Sequence, residues 1–221
     1  MNEASESDTS LAEELARLPF EIPPETAERF ERYCQLLWDW NQKINLTRHT
    51  NYALFVSRDV LDSWHLARQL GQGERVLDVG SGGGVPGILI AILRPDLKIS
   101  LSESTGKKAK VLEALVRHLA LDVSVDASRA EAVLEERSFD AVTARAVGSI
   151  ARICQWFQGH WPAIGRLLMI KGPQWVEERG EARHLGLLKS LELRKVDSYP
   201  MPGTASESVI LKLWPKGQTE V

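Results

Sequence analysis

The sequence predicts an α/β fold in which helices precede a doubly wound, mostly parallel sheet. Three observations predict it. From residue 75 onward, short apolar runs alternate with helical stretches, the pattern of parallel strands joined by helical crossovers. The first of those runs ends in a glycine-rich loop that opens a helix. The last two runs follow one another directly, so they form a hairpin and bring one antiparallel strand into the sheet.

The elements run in this order. Residues 1–10 are polar, acidic and Ser-rich, and read as a disordered tail. Thr9 or Ser10 suits the cap of a short helix that carries Leu11, Leu15 and Leu18 on one face. Pro23 and Pro24 punctuate the chain. Ala27, Phe30, Cys34, Leu37 and Trp38 then recur at helical spacing, so 24–44 is an amphipathic helix. A second helical stretch covers 51–70, with Leu54, Val60, Leu61, Trp64 and Leu70. Residues 11–70 are therefore expected to be an N-terminal helical extension and 71–221 the sheet domain. Seven strands are expected at 75–79, 98–103, 122–126, 139–144, 165–171, 192–199 and 208–214, with helices at 86–93, 107–120, 130–135, 149–159 and 174–189.

Composition bounds the function. A chain of 221 residues with 43% hydrophobic and 26% charged content suits one globular unit. Cys34 and Cys154 lie far apart, and the five histidines lack ligand spacing. Neither a disulfide scaffold nor a metal site is expected. No run approaches the ~18 apolar residues of a membrane span, and the N-terminus has no apolar signal core. The expected compartment is the cytoplasm, and without a long heptad seam the expected state is a monomer. The net charge of −3 means that a nucleic-acid partner would need a local basic face.

The loop that runs from Asp78 to Gly87 carries five glycines among residues 80–87, more than a turn requires. Glycine lets backbone turn tightly and approach a ligand closely. Two ligands compete. Gly82, Gly84 and Gly87 fit the dinucleotide spacing G-x-G-x-x-G, with the acid Glu103 about 20 residues on. Gly80, Gly82 and Gly84 fit G-x-G-x-G after an acid, Asp78. A carboxylate at Asp78 repels a pyrophosphate but suits the cationic ammonium and sulfonium of S-adenosylmethionine. That favours S-adenosylmethionine, with S-adenosylhomocysteine as product, whether Asp78 touches it or orders the loop. Glu103 ends the second strand, where a carboxylate can accept both ribose hydroxyls.

More specific segments surround the loop. They are Trp40-Asn41-Gln42-Lys43-Ile44-Asn45-Leu46-Thr47, Arg58-Asp59-Val60-Leu61-Asp62-Ser63, Ser128-Arg129-Ala130-Glu131, residues 139–146 and Lys171-Gly172. In this order and spacing the chain, from about 25 to 214, resembles the bacterial small-subunit ribosomal RNA guanine-N7 methyltransferases (RsmG, also called GidB). The resemblance implies a class I methyltransferase fold with an N-terminal helical extension. It implies methyl transfer from S-adenosylmethionine to N7 of one guanine in the decoding region of 16S rRNA, free or within the small ribosomal subunit. Carried over by motif, cofactor contacts fall on Gly80, Val85, Glu103, Ser104, Thr105, Ala130 and Glu131, and Arg145 points into the site. The chain departs from the family at Asp59, where histidine is common, and at Ser206, near where an arginine is expected. Both changes remove positive charge near the expected RNA-facing surface.

Guanine N7 offers an in-plane lone pair and no proton, so no general base is expected and alignment should dominate. Arg145 is the candidate to hold the guanine or its phosphate. Arg58, Lys107, Lys108 and Lys171 are candidate RNA contacts, joined by Lys110 and Arg117 on the same helix as the first two lysines; solvated lysines explain that helix equally well. Trp38, Trp40 and Trp64 read as core rather than stacking platforms. Competing readings are a methyltransferase with another acceptor, an NAD-dependent oxidoreductase and a non-enzymatic RNA-binding protein.

Overall fold

The computed structural model describes residues 9–218; most of the segment expected to be a tail, 1–8, lies outside them. Ser10 caps α1 (Leu11–Leu15) by accepting from the Glu13 amide, and the Glu13 carboxylate accepts from the Ser10 amide at 2.8 Å. Two amides that a helix start leaves unpaired are thus satisfied reciprocally. Helix α2 (Pro24–Asn41) starts with proline, which loses nothing by lacking an N–H there. It buries Phe30, Tyr33, Cys34 and Leu37, the face that the 3.6-residue spacing marks out.

The second helical stretch is present but broken. It runs as α3 (Tyr52–Leu54), a π-helical turn (Phe55–Val60) and α4 (Leu61–Ala67). A π-turn inserts one residue into the helical ladder and rotates every later side chain about the axis. Both Asp59 and Asp62 end up buried, which a regular apolar stripe does not foretell.

The sheet has seven strands in the order β3-β2-β1-β4-β5-β7-β6. They are β1 (Arg75–Val79), β2 (Lys98–Ser102), β3 (Val123–Asp126), β4 (Phe139–Arg145), β5 (Ile164–Lys171), β6 (Leu191–Pro200) and β7 (Glu207–Pro215). Strands β1 to β5 pair in parallel, and β7 enters between β5 and β6 antiparallel to both. The final hairpin therefore supplies the one antiparallel strand that the sequence predicts. Helices α5 (Gly87–Leu93) and α6 (Gly106–His118) cover one face together with the N-terminal helices. Helices α7 (Ala130–Glu136), α8 (Ile150–Trp156) and α9 (Trp175–His184) cover the other. Central strands buried on both faces read as continuous apolar runs, as Leu167–Ile170 does.

The tryptophans of the extension belong to its packing. Trp64 stacks on Phe20 at 3.7 Å, and the Trp38 indole donates to the His49 carbonyl at 2.9 Å.

Below the sheet, Arg166 of β5 binds Glu74 through both nitrogens, at 2.7 and 3.0 Å, and donates to the Gln69 carbonyl at 2.9 Å. It is 5% exposed. This contact ties the end of the helical extension to the sheet. Removing one partner of a buried pair leaves the other uncompensated. Arg166→Ala should therefore lower unfolding free energy by about 3 kcal/mol, and the apolar double replacement Arg166→Met, Glu74→Met should recover most of it. Urea denaturation checks this; equal losses in the two variants would refute it.

Candidate active site

The β1–α5 loop lies at the carboxyl end of the parallel strands, beside the crossing from β1 to β4, where open α/β sheets bind ligands. Gly80, Gly82 and Gly84 have φ of +65°, +56° and +102°, the left-handed region where a side chain is strained. At Gly80 an added Cβ would meet Val147 at 2.5 Å, and at Gly84 it would meet Ile88 at 2.5 Å. Four of the loop's amides are spent on the protein itself. Gly80 and Ser81 donate to the Ser102 carbonyl at 2.9 and 3.2 Å, Gly82 to Glu103 Oε2 at 3.1 Å, and Gly84 to the Ser81 carbonyl at 2.6 Å. Dinucleotide-binding loops turn such N–H groups toward a pyrophosphate. Here four of them turn onto Ser102, Glu103 and Ser81 instead, so the loop suits a ligand without phosphate.

Glu103 is buried at the end of β2. Its Oε1 accepts from the Thr105 amide at 2.7 Å while Oε2 accepts from Gly82. Each carboxylate oxygen has a second lone-pair direction for a ribose hydroxyl. Beside it opens a cavity of about 300 Å³ lined by Val79, Gly80, Ser104, Ala130, Glu131 and Trp156, among others. A nucleoside has the size and mixed polarity for such a space. S-adenosylmethionine fits this donor set: an acid for the ribose, a glycine floor, and apolar walls for the adenine.

The expected cofactor residues take different places around this cavity. Gly80, Ser104, Ala130 and Glu131 line the cavity. Glu103 and Thr105 are not among the lining residues but flank Ser104 in the chain, joined by the hydrogen bond just described. Gly82 and Gly84 shape the loop, and Val85 packs back toward the helical core. Asp78 stands behind the loop with 0% exposure; its Oδ1 accepts from the Thr143 hydroxyl at 2.8 Å. Its carboxyl also abuts Gly87, where a Cβ would lie 2.8 Å from Oδ2. Asp78 thus orders the loop, the second of the two roles weighed for it. Burial pushes its carboxyl up to about 6, against the pull of Ser81, Thr143 and the Gly87 N–H. The spacing of motifs does not reveal Ser102, Ser128, Arg129, Val147, Arg152 and Trp156 as lining residues. Ser128 and Arg129 share a segment with Ala130 and Glu131, whereas Trp156 sits in α8, far in sequence from the loop.

The N-terminal helices reach into this site. The buried Tyr33 hydroxyl donates to the Gly83 carbonyl at 2.8 Å, and Leu37 Cδ1 lies 3.1 Å from where a Gly83 Cβ would stand. Asn41 holds the amides of Leu46 and Thr47 at 2.8 and 3.0 Å, pinning the Asn45-Leu46-Thr47 turn beside the loop. Arg145 ends β4, two residues before Val147. Its guanidinium binds Asp59 Oδ1 through Nη1 at 2.7 Å and Asp62 Oδ2 through Nε at 2.8 Å. Desolvation depresses the Arg145 pKa, but the two carboxylates outweigh it and leave the value raised. Asp59 is 2% exposed. It therefore does not lie on an RNA-facing surface, as its departure from the family pattern suggested; it is an interior partner of Arg145. Ala146, next in the chain, has φ +57° and turns the backbone away sharply.

Of the candidate RNA contacts, Lys107 is exposed at the start of α6, with Lys110 and Arg117 exposed farther along, while Lys108 and Arg58 are half-buried. Lys171 is turned inward onto the Gly148 carbonyl and pairs with Glu178 at 2.8 Å. Among the described residues no group of three or more His, Cys, Asp or Glu could hold a metal ion.

A mostly parallel seven-stranded sheet with one antiparallel strand, a glycine loop after β1 and a buried acid after β2 defines the class I S-adenosylmethionine-dependent methyltransferase fold. A structural comparison agrees. An S-adenosylmethionine-dependent O-methyltransferase from Thermotoga maritima superposes with a TM-score of 0.51 at 17% identity, covering 83% of this chain and 73% of that one. Within that class, the chain belongs to the GidB family, rRNA small subunit methyltransferase G, whose sequence profile matches residues 26–202. The ribosomal RNA small subunit methyltransferase G of Rhodopirellula baltica is 50% identical over 200 residues, which cover 90% of this chain and 87% of that protein. The protein of the same name from Chromobacterium violaceum is 39% identical over 205 residues, 92% of this chain and 95% of that one.

Asp78 carries a measurable signature. Its folded-state value of about 6 exceeds the ordinary 3.8, so the native state holds the proton more tightly than the unfolded chain. Stability therefore falls as pH rises from about 4 to about 6, by roughly 3 kcal/mol from this group. Asp78→Asn should remove that contribution. Its unfolding free energy relative to the parent should rise by roughly that amount between pH 4 and pH 7 in urea titrations. A constant difference across the range would show that Asp78 is not so perturbed.

Proposed function

We propose that this chain transfers a methyl group from S-adenosylmethionine to N7 of a guanine in the decoding region of 16S rRNA. The observation that carries the reading is the family match over residues 26–202, most of the chain. When bound, S-adenosylmethionine supplies an electrophilic methyl group on a sulfonium. Gly80 and its neighbours would leave room for it, Glu103 would accept from its ribose hydroxyls, and Ala130 and Glu131 would hold its adenine. Asp78 holds the loop in shape from behind. Arg145 positions the guanine, whose N7 lone pair needs no base to expose it, so alignment carries the catalysis. Lys107 and Lys108, at the start of α6, meet phosphates, with Arg58 as a further contact; each exposed contact adds salt-sensitive affinity. We further propose that the substrate is RNA within or on its way into the small subunit, that the protein acts as a monomer in the cytoplasm, and that Lys171 braces the loop after β4 more than it binds RNA.

The test uses labelled S-adenosylmethionine and small ribosomal subunits from a strain lacking the modification, with nuclease digestion and a search for 7-methylguanosine. The nucleoside should appear. Arg145→Ala should lower its rate tenfold or more, the loss of one charged hydrogen bond of ~1.5–3 kcal/mol, while S-adenosylhomocysteine still raises the melting temperature. Cofactor binding with no label on subunits or on free 16S rRNA would redirect the search to other acceptors.

A further inference from the structure

Arg145 does not meet its surroundings as a free cation. Asp59, from the π-turn, and Asp62, one turn on, flank its guanidinium at 2.7 and 2.8 Å. Their side chains are 3% and 6% exposed. Each carboxylate has another partner: His49 Nδ1 lies 2.9 Å from Asp59 Oδ1, and the Tyr199 hydroxyl donates to Asp62 Oδ1 at 2.7 Å. Tyr199 is held in turn by His65, stacked on it at 3.8 Å and bound to Asp197 at 2.8 Å. Both ends of the cradle are thus fixed, one by the extension and one by the C-terminal hairpin.

One carboxylate is enough to compensate one guanidinium. A second carboxylate is costly to bury, and burial raises the Asp62 carboxyl above the usual carboxylate range. A phosphate brought to Arg145 would face two carboxylates and be repelled. A cationic partner would be welcomed. In N7 methylation the N7–methyl bond forms as the methyl–sulfur bond breaks, the bonding pair goes to sulfur, and the positive charge moves onto the purine. A carboxylate near that charge stabilises it if it is held rigidly.

We propose that Asp59 and Asp62 are positioning residues that hold Arg145 to receive a guanine base and not a phosphate, with Asp59 supplying a fixed carboxylate that favours the cationic methylated purine. This deepens the rRNA methyltransferase reading and rests on it. The N-terminal extension is then part of the catalytic unit through Asp59, besides its contacts to the loop.

The test compares the parent protein with Asp59→Asn, Asp59→Glu and Asp59→Ser on subunits or 16S rRNA. It reads kcat, KM for RNA, the melting shift with S-adenosylhomocysteine, and the slope of log affinity against log salt. Asp59→Asn should lower kcat about tenfold with KM within about twofold and the melting shift retained. Asp59→Glu, which keeps the charge, should restore most of kcat. The salt slope should be the same in the parent, Asp59→Asn and Arg145→Ala, since a single phosphate–cation pair changes it by about 1. If Asp59→Asn does not fold, Asp59→Ser leaves room for water beside Arg145 and carries the same expectation. Parental kcat in the uncharged variants, or a salt slope shallower by about 1 in Arg145→Ala, overturns the proposal. A parent protein that makes no 7-methylguanosine overturns the methyltransferase reading itself and the proposal with it, a result distinct from an active parent with indifferent variants.

Discussion

A guanidinium at the end of a central strand, held largely out of water, has to be compensated, and Arg145 is such a group. Neither acid comes from the sheet. Asp59 and Asp62 come from helices that precede it, so those helices must pack against the carboxyl ends of β4 and its neighbours. Tyr199 then joins the last hairpin to the same cluster. One ion-paired centre thus sets the relative position of the three parts of the chain that surround the site. The Tyr33–Gly83 hydrogen bond repeats the coupling from α2.

The loop after β1 shows a second constraint. A buried carboxylate at Asp78 is costly, and it is kept by the Thr143 hydroxyl and by close packing on Gly87. Its position requires glycine where a Cβ would collide. The same folding turns the amides of Gly80, Ser81, Gly82 and Gly84 onto Ser102, Glu103 and Ser81. A ligand is left with shape and acids, Glu103 and Glu131, rather than a ring of backbone donors. The competition between a dinucleotide and S-adenosylmethionine, open on glycine spacing alone, is therefore decided by where the backbone N–H groups point. Glycine spacing cannot encode that direction, because both loops need the same flexibility.

Much of the architecture is legible in the sequence. All seven strands and the hairpin follow from apolar runs and their alternation with helices, because burial on both faces leaves a strong signal. Helix 51–70 is legible in extent but not in form. A π-turn changes the register by one residue, and the apolar spacing on either side absorbs the change. Asp59 escapes sequence reading for that reason: beside Arg58, in a stretch that reads as a plain amphipathic helix, an acid looks like surface. Trp156 and Arg152 escape it because they lie on α8, far in sequence from the loop whose cavity they line.

The sequence by itself determined the strand order's raw material, the glycine loop, the acid after the second strand and the family, because these reside in local composition and spacing. Only the tertiary structure decided which charged groups meet. It brought residues 59, 62 and 145 within hydrogen-bond distance, moved Asp78 behind the loop, and turned Lys171 inward. Such pairings depend on the crossing of distant elements, and a buried charge is recognised by its neighbours in space, which sequence order does not record.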